Sequence, residues 1–386
     1  GALLASGRVL GVIELFVCGV ITLALVIAAV IYVIGRRLRL EVRRRIQPPK
    51  VHVGTASRVD LSLTNRSTRR SPVLAIHDSV SGTHGAHLQV APLRPGATAR
   101  AAYRLPTSKR GLVTVGPLDV EITDPLGLSR TRLAAAGVSE LMVYPKIYAV
   151  TPLPQSDSID PYANSFQTIV LGRTGEDFHA LREFGQGDDL RRVHWPSTAR
   201  FDELMVRQEE QPSLGRVSIV IDNRSSAMSS EALDLAATIA GSVGLAAQGQ
   251  HDLVRVIAVG SGSIHFANSN ADVESILGHL AMLETSVEPD LLPTIQKVAT
   301  HDPGGALVIV TCVAAVAESN AVRTLANRFA SLTTVVIDPT THNSKATSLA
   351  LETSPRRVVV TADEPFPGIW NRTIGLRRRR PTGVSR

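Results

Sequence analysis

The chain has 386 residues, 44% of them hydrophobic and only 4% aromatic, with two cysteines and 41 basic against 34 acidic side chains. That length divides into two or three compact units, and Cys18 and Cys312, far apart in sequence, exclude a disulfide scaffold and a thiolate metal site. The net charge of +7 sits in two flanks: Arg36–Lys50 holds seven basic residues and one acid, and Arg372–Arg386 six basic residues and no acid, which leaves about −5 for the rest. A basic folded face with interleaved aromatics is missing, so nucleic acid is not an expected partner.

Leu15–Ile34 is a run of twenty uncharged residues rich in Val, Ile, Leu and Ala. At 1.5 Å rise per residue it just crosses a hydrocarbon core of about 30 Å. A signal peptide fits less well, because no basic region stands directly ahead and arginines, rather than a small-residue cleavage site, follow. Arg36, Arg37, Arg39, Arg43, Arg44 and Arg45 favour the cytoplasmic side. The expectation is therefore a plasma (inner) membrane protein with its soluble bulk in the cytoplasm, and Gly1–Ser6 reads as the tail of an earlier apolar segment of a helical hairpin.

From Val51 the pattern changes to short alternating segments: Arg58–Leu63, Pro72–His77, Thr98–Leu105 and Leu112–Ile122. Alternation of apolar and polar side chains marks strands with one wet and one buried face. Seven or eight such strands up to about Tyr144 predict a β-sandwich of immunoglobulin size. A polar linker follows from Pro145 to Gln167. From Val217 to about Thr361, apolar strands (Val217–Ile221, Leu253–Val259, Ala306–Val310, Thr334–Ile337, Arg357–Val360) alternate with helical segments (Glu231–Ala247, Ala271–Leu283, Ala317–Ala330). Continuous apolar strands with helical crossovers predict a parallel sheet covered on both faces. The expected division is 1–45 for the membrane segment and its basic flank, 46–145 for the sandwich, 146–212 for linker and signature, 213–365 for an α/β domain, and 366–386 for a basic tail.

The signature is the stretch 172–212, where charge of both signs is dense. Its alternation predicts that Asp188 and Asp189 lock Arg182, Arg191 and Arg200 into bidentate pairs, with Trp195 as an apolar anchor beneath them. Gly172, Gly175, Asp177, Leu181-Arg182-Glu183-Phe184, Gly187-Asp188-Asp189, Arg191, Trp195 and Ala199-Arg200 together resemble the signature of the bacterial domain of unknown function 58 family. Asp124-Pro125-Leu126-Gly127-Leu128 is similar to another phrase of that family. The resemblance implies membrane helices, a β-rich region and an open parallel-sheet domain of von Willebrand factor A type. It also implies a membrane-anchored adaptor or scaffold working with a MoxR-type AAA+ ATPase or another protein, with no reaction assigned.

A von Willebrand A-like domain that binds Mg²⁺ presents D-x-S-x-S after its first strand, because a hard cation needs several oxygens close together. Here that loop reads Asp222-Asn223-Arg224-Ser225-Ser226, with Thr285 the nearest candidate for the second loop. Asp222 and Ser226 match, but Arg224 replaces the middle serine and its guanidinium repels a cation, so the expectation is a degenerate site without Mg²⁺. Two alternatives stand beside the adaptor. One is a hydrolase or other enzyme using His179, Glu183, Asp188, Asp189 and His194, whose spacing matches no ligand motif. The other is a Mg²⁺-dependent adhesion module with the opposite topology. Gly260-Ser261-Gly262 does not extend to G-x-G-x-x-G, and neither a P-loop nor G-x-S-x-G occurs, so nucleotide binding and a serine nucleophile are not expected.

Overall fold

The computed structural model describes residues 5–6, 9, 11–35, 38–154, 178–183, 193, 195–201, 203–209, 215–260, 270–288, 290–301, 304–312, 328–338, 356–361 and 364–375. They divide into two units, residues 1–148 with 274–284, and residues 149–273 with 285–386.

In the first unit, helix α1 (Ile13–Gly35) contains one stretch, Ile13–Val33, that is long and apolar enough to cross a membrane. Nine strands follow: β1 (Leu40–Gln47), β2 (Lys50–His52), β3 (Arg58–Asn65), β4 (Leu74–Val80), β5 (Ala86–Val90), β6 (Thr98–Arg104), β7 (Gly111–Thr123), β8 (Arg130–Ala136) and β9 (Ser139–Tyr144). They form a three-stranded sheet β1-β3-β6 and a six-stranded sheet β2-β9-β7-β4-β5, with β8 pairing β7. Strict alternation in β3 buries Val59, Leu61 and Leu63, which join Leu74 and Ile76 of β4, Leu118, Val120 and Ile122 of β7, and Leu141 and Val143 of β9 in one core. Each such side chain contributes about 1.5–3 kcal/mol by leaving water.

The sequence boundary at residue 46 is corrected here. β1 begins at Leu40, so Arg43, Arg44 and Arg45 lie on a sandwich strand rather than on a basic flank. Arg44 is buried: its Nη1 donates to Asp78 Oδ1 at 2.7 Å, and its Nη2 to the Gly137 carbonyl and, at 3.1 Å, to Ser139 Oγ. Tyr103 Oη completes the cluster by donating to Asp78 Oδ2 at 2.6 Å. Burial first, and then this bond to Asp78, push the Tyr103 phenol far above its ordinary value of 10.

The second unit opens with the antiparallel hairpin β10 (Phe178–Glu183) and β11 (Met205–Glu209), with helix α2 (Trp195–Phe201) between them in sequence. Its main sheet contains β12 (Arg216–Ile221), β13 (Leu253–Ala258), β14 (Ala306–Cys312), β15 (Ser331–Ile337) and β16 (Arg357–Val360), in the order β13-β12-β14-β15-β16 and parallel throughout. Every residue of β12 and β14 is buried, which is why neither strand alternates and both are mostly apolar, with Arg216, Ser218 and Thr311 the buried polar exceptions. Helix α3 (Ser230–Gln248) starts at an N-cap, Ser229, whose Oγ accepts from Ala232 N at 3.2 Å, and it buries Leu233, Ala236, Ala237, Ile239, Ala240 and Val243. Helix α4 (Asn270–Ala281) follows, its residues from Glu274 onward belonging to the first unit, and α5 (Leu292–His301), absent from the expected elements, contributes Ile295, Val298 and Ala299 to the core. Most of the expected helix Ala317–Ala330 lies outside the described residues.

The expected basic tail from residue 366 is also corrected. Phe366–Gly375 forms helix α6, whose Phe366, Trp370 and Ile374 recur every four residues and are buried. Trp370 Nε1 donates to the Thr151 carbonyl at 2.7 Å, and Thr151 N donates to Asn371 Oδ1 at 2.7 Å, so part of the expected linker is fixed to α6.

Candidate functional site

In the parallel sheet, strand succession reverses between β12 and β14, and crevices form at the carboxyl edge of open α/β sheets at such a switch point. β12 runs directly into Asp222, whose N–H donates to the Val310 carbonyl of β14 at 2.9 Å. Asp222 is fully buried. Its Oδ1 accepts from Arg224 Nε at 2.7 Å, and its Oδ2 from Arg224 Nη2 at 3.0 Å and from Thr311 Oγ1, near the end of β14, at 2.8 Å. Arg224 and Thr311 are buried as well.

The loop holding this pair is tied down by its backbone. Ser225 N donates to Ser286 O at 2.8 Å and Ser286 N to Asn223 O at 2.7 Å, which makes Arg224 and Ser286 bridge partners. Ala227 N and Met228 N both donate to Arg224 O, turning the chain toward α3. Gly260, at φ +73°, fits beside this segment because a Cβ there would lie 2.7 Å from Ser286 Oγ and 2.8 Å from Glu288 Cγ. The glycine of Gly260-Ser261-Gly262 thus serves a close approach to Ser286.

Chemically, a fork-shaped cation holds both carboxylate oxygens and a hydroxyl adds a third donor. The guanidinium supplies in place the positive charge that a bound cation brings to such a carboxylate. Asp222 is therefore committed to Arg224 and Thr311 in this structure.

Of the residues singled out in the sequence, Asp222 lies at the centre of this cluster, while Ser226 and Thr285 are exposed. Thr311 is not among them; its signal in the sequence is a polar residue near the end of an otherwise apolar strand. Among the described residues, no group of three or more His, Cys, Asp or Glu side chains is placed to hold a metal. Arg182 and Glu183 lie on β10, opposite Val206 and Met205 of β11, and His179 lies on the same strand. Trp195 opens α2 with 64% of its surface exposed, and the carboxylates it is expected to lie beneath fall outside the described residues. Arg200 is exposed in the last turn of α2. Gly172, Gly175, Asp177, Gly187, Asp188, Asp189, Arg191 and His194 lie outside the described residues, and with them the expected carboxylate–arginine pairs.

Residues 180–347 match the family described as "Protein of unknown function DUF58". The DUF58 match begins in β10 and extends past β15, so it takes in the hairpin, Asp222, Arg224 and Thr311. It supports the family to which the signature points. No curated protein matches the chain. Among solved structures, the CARDB domain of a Pyrococcus furiosus protein in complex with di-metal ions is 13% identical, with 28% of this chain and 93% of that one covered at a TM-score of 0.22. The putative ApaA protein of Bordetella pertussis is 16% identical, covering 28% of this chain and 93% of its own at 0.19. The alkylpurine DNA glycosylase AlkC of Pseudomonas fluorescens is 16% identical, covering 27% and 30% at 0.18. Likenesses this slight carry no argument about function.

Proposed function

We propose that this chain is a membrane-anchored adaptor whose soluble units face the cytoplasm and whose α/β unit, of von Willebrand factor A type, presents its carboxyl edge to a MoxR-type AAA+ ATPase or that ATPase's substrate. The observation that carries the reading is the closed cluster of Asp222, Arg224 and Thr311. A reactive centre at a switch point needs a group left available for substrate. Here the central carboxylate is occupied by side chains of the same chain, which suits a fixed recognition surface that needs no metal to set its shape. The apolar length of α1 supports the anchor, and the basic residues that follow it support the cytoplasmic side.

Sidedness is tested by placing a single cysteine at Val287, which is 94% exposed, in a Cys18→Ser, Cys312→Ser background. A membrane-impermeant maleimide is expected to label it in inverted vesicles and not in intact cells. Labelling in intact cells overturns the cytoplasmic assignment.

A further inference from the structure

The turn between β7 and β8 is built to hold two leucines out in solvent. Asp124 is buried and spends its carboxylate on the turn itself: Oδ1 accepts from Ser129 N at 2.6 Å and Oδ2 from Leu126 N at 2.9 Å. Asp124 N donates to Ser129 O at 3.0 Å, Gly127 N donates to Asp124 O at 3.1 Å, and Gly127 supplies the positive φ of +71°. The product is a rigid tip on which Leu126 and Leu128 are 62% and 47% exposed, with Val73 beside it at 52%. A turn of this kind needs no leucines for its own stability, and exposed apolar groups gathered at one edge mark a contact surface.

Three observations place that edge beside the end of α1. Only residues 36–39 separate Gly35 from β1, so the sandwich hangs at most about 18 Å from the helix end. Ala29 and Val33, one turn apart near that end, are buried, and α1 packs on β8. Tyr32 lines one cavity, of about 650 Å³, together with Arg70, Val73, Pro92 and Pro125. Arg69, Arg70 and Arg130 are exposed: Arg70 lines that cavity with Arg69 next to it in sequence, and Arg130 opens β8 directly after the turn, 3.7 Å from Glu121 Oε1. A tyrosine at a helix end is suited to the headgroup level, and arginines flanking an apolar tip are suited to lipid phosphate.

We infer that the β7–β8 turn is a second membrane contact: Leu126 and Leu128 enter the acyl boundary of the bilayer while Arg69, Arg70 and Arg130 meet anionic phospholipid headgroups. The inference rests on the reading of α1 as the membrane anchor. Two attachments, one spanning and one interfacial, fix the orientation of the sandwich against the membrane where a single helix leaves it free to rotate.

The test uses the full chain in nanodiscs of phosphatidylcholine and phosphatidylglycerol, with and without bromine on the acyl chains. In a Trp195→Phe background, whose remaining Trp370 emission is recorded separately and subtracted, tryptophan is introduced by Leu126→Trp, by Leu25→Trp within α1, or by His84→Trp in the β4–β5 turn. That turn lies at the far end of β4, about 20 Å away. Brominated lipid is expected to remove about half of the L126W emission, since an interfacial side chain sits ~5–10 Å into the boundary, and to quench L25W while leaving H84W unchanged. Quenching of L25W without L126W overturns the turn contact and leaves the anchor standing, giving the tip to a protein instead. Absence of quenching in both overturns anchor and contact together. Equal quenching of L126W in discs of phosphatidylcholine alone overturns the anionic headgroup component. Leu126 is exposed, so matching thermal melts of L126W and its parent establish that the fold is intact.

Discussion

Arg224 grips both carboxylate oxygens of Asp222 from only two residues away, at 2.7 and 3.0 Å, with both side chains buried at the carboxyl edge of the parallel sheet. The arrangement is closed within one loop. Its charge balance travels with the chain rather than with a dissociable ion, and Thr311 from the neighbouring strand locks it to the sheet at 2.8 Å.

Arg224→Ser converts the loop to D-x-S-x-S and strips the buried carboxylate of its partner. Breaking a buried pair from one side costs about 3–5 kcal/mol, so the thermal midpoint is expected to fall sharply in EDTA. Millimolar Mg²⁺ is expected to recover part of the loss, because Asp222, Ser226 and the new serine then offer oxygens to a hard cation. Melting curves with and without Mg²⁺ check this; an absence of any Mg²⁺ effect means that these oxygens do not converge as a cation site.

Arg44, Asp78 and Tyr103 give the sandwich a buried polar centre. Asp78→Ala leaves the Arg44 guanidinium buried without its carboxylate and is expected to cost about 3–5 kcal/mol in urea unfolding. The pH dependence follows from the raised phenol of Tyr103: its contribution is intact below pH 10, the ordinary value, and is lost as pH climbs through the higher folded value. Phenolate absorbance is expected to show one of the five tyrosines ionising only on alkaline unfolding. In Tyr103→Phe the steep alkaline loss should flatten.

At the acid end, Glu121 behaves in the opposite sense. Its hydrogen bond from Arg132 at 2.9 Å is the main cause holding its carboxyl below the ordinary 4.5. A lowered folded value means that the contribution is fully present above pH 4.5, the ordinary value, and is lost as pH falls below that through the lower folded value. Glu121→Gln is expected to reduce the slope of unfolding midpoint against pH between 5 and 3, as read by circular dichroism.

Trp370 is the largest fully buried side chain. Trp370→Ala is expected to destabilise the second unit by about 3–5 kcal/mol, and Trp370→Phe by less, through the Thr151 carbonyl left without its indole donor. Fluorescence separates the two tryptophans: Trp195→Phe should remove the red, quencher-accessible component and leave the blue-shifted emission of Trp370.

Strand content is legible because burial on one face or on both imposes a pattern that sequence records directly, as in the alternating β3 and the unbroken apolar run at the start of β14. The terminal helix was not, because the basic run Arg377–Arg380 masks the spacing of Phe366, Trp370 and Ile374 just before it. Charge likewise misled at Arg44: an arginine in a basic cluster reads as solvated, and only the fold brings Asp78, 34 residues on, to meet it. At the candidate site, the mismatch at Arg224 was visible in the loop, but its consequence was not. Occupation of the carboxylate by that guanidinium depends on loop geometry, and Thr311 joins only because β12 and β14 are neighbours.

The central claim, a metal-independent adaptor for a AAA+ ATPase, is tested most directly by co-expressing the full chain with a MoxR-type ATPase and passing detergent-solubilised material through affinity and size-exclusion steps in EDTA, with and without ATP. Stoichiometric co-elution in at least one nucleotide state, abolished by a charge reversal on the exposed carboxyl edge such as Glu288→Lys, is the expected result. Failure of the ATPase to co-elute in every nucleotide state, with the chain itself folded, would contradict it.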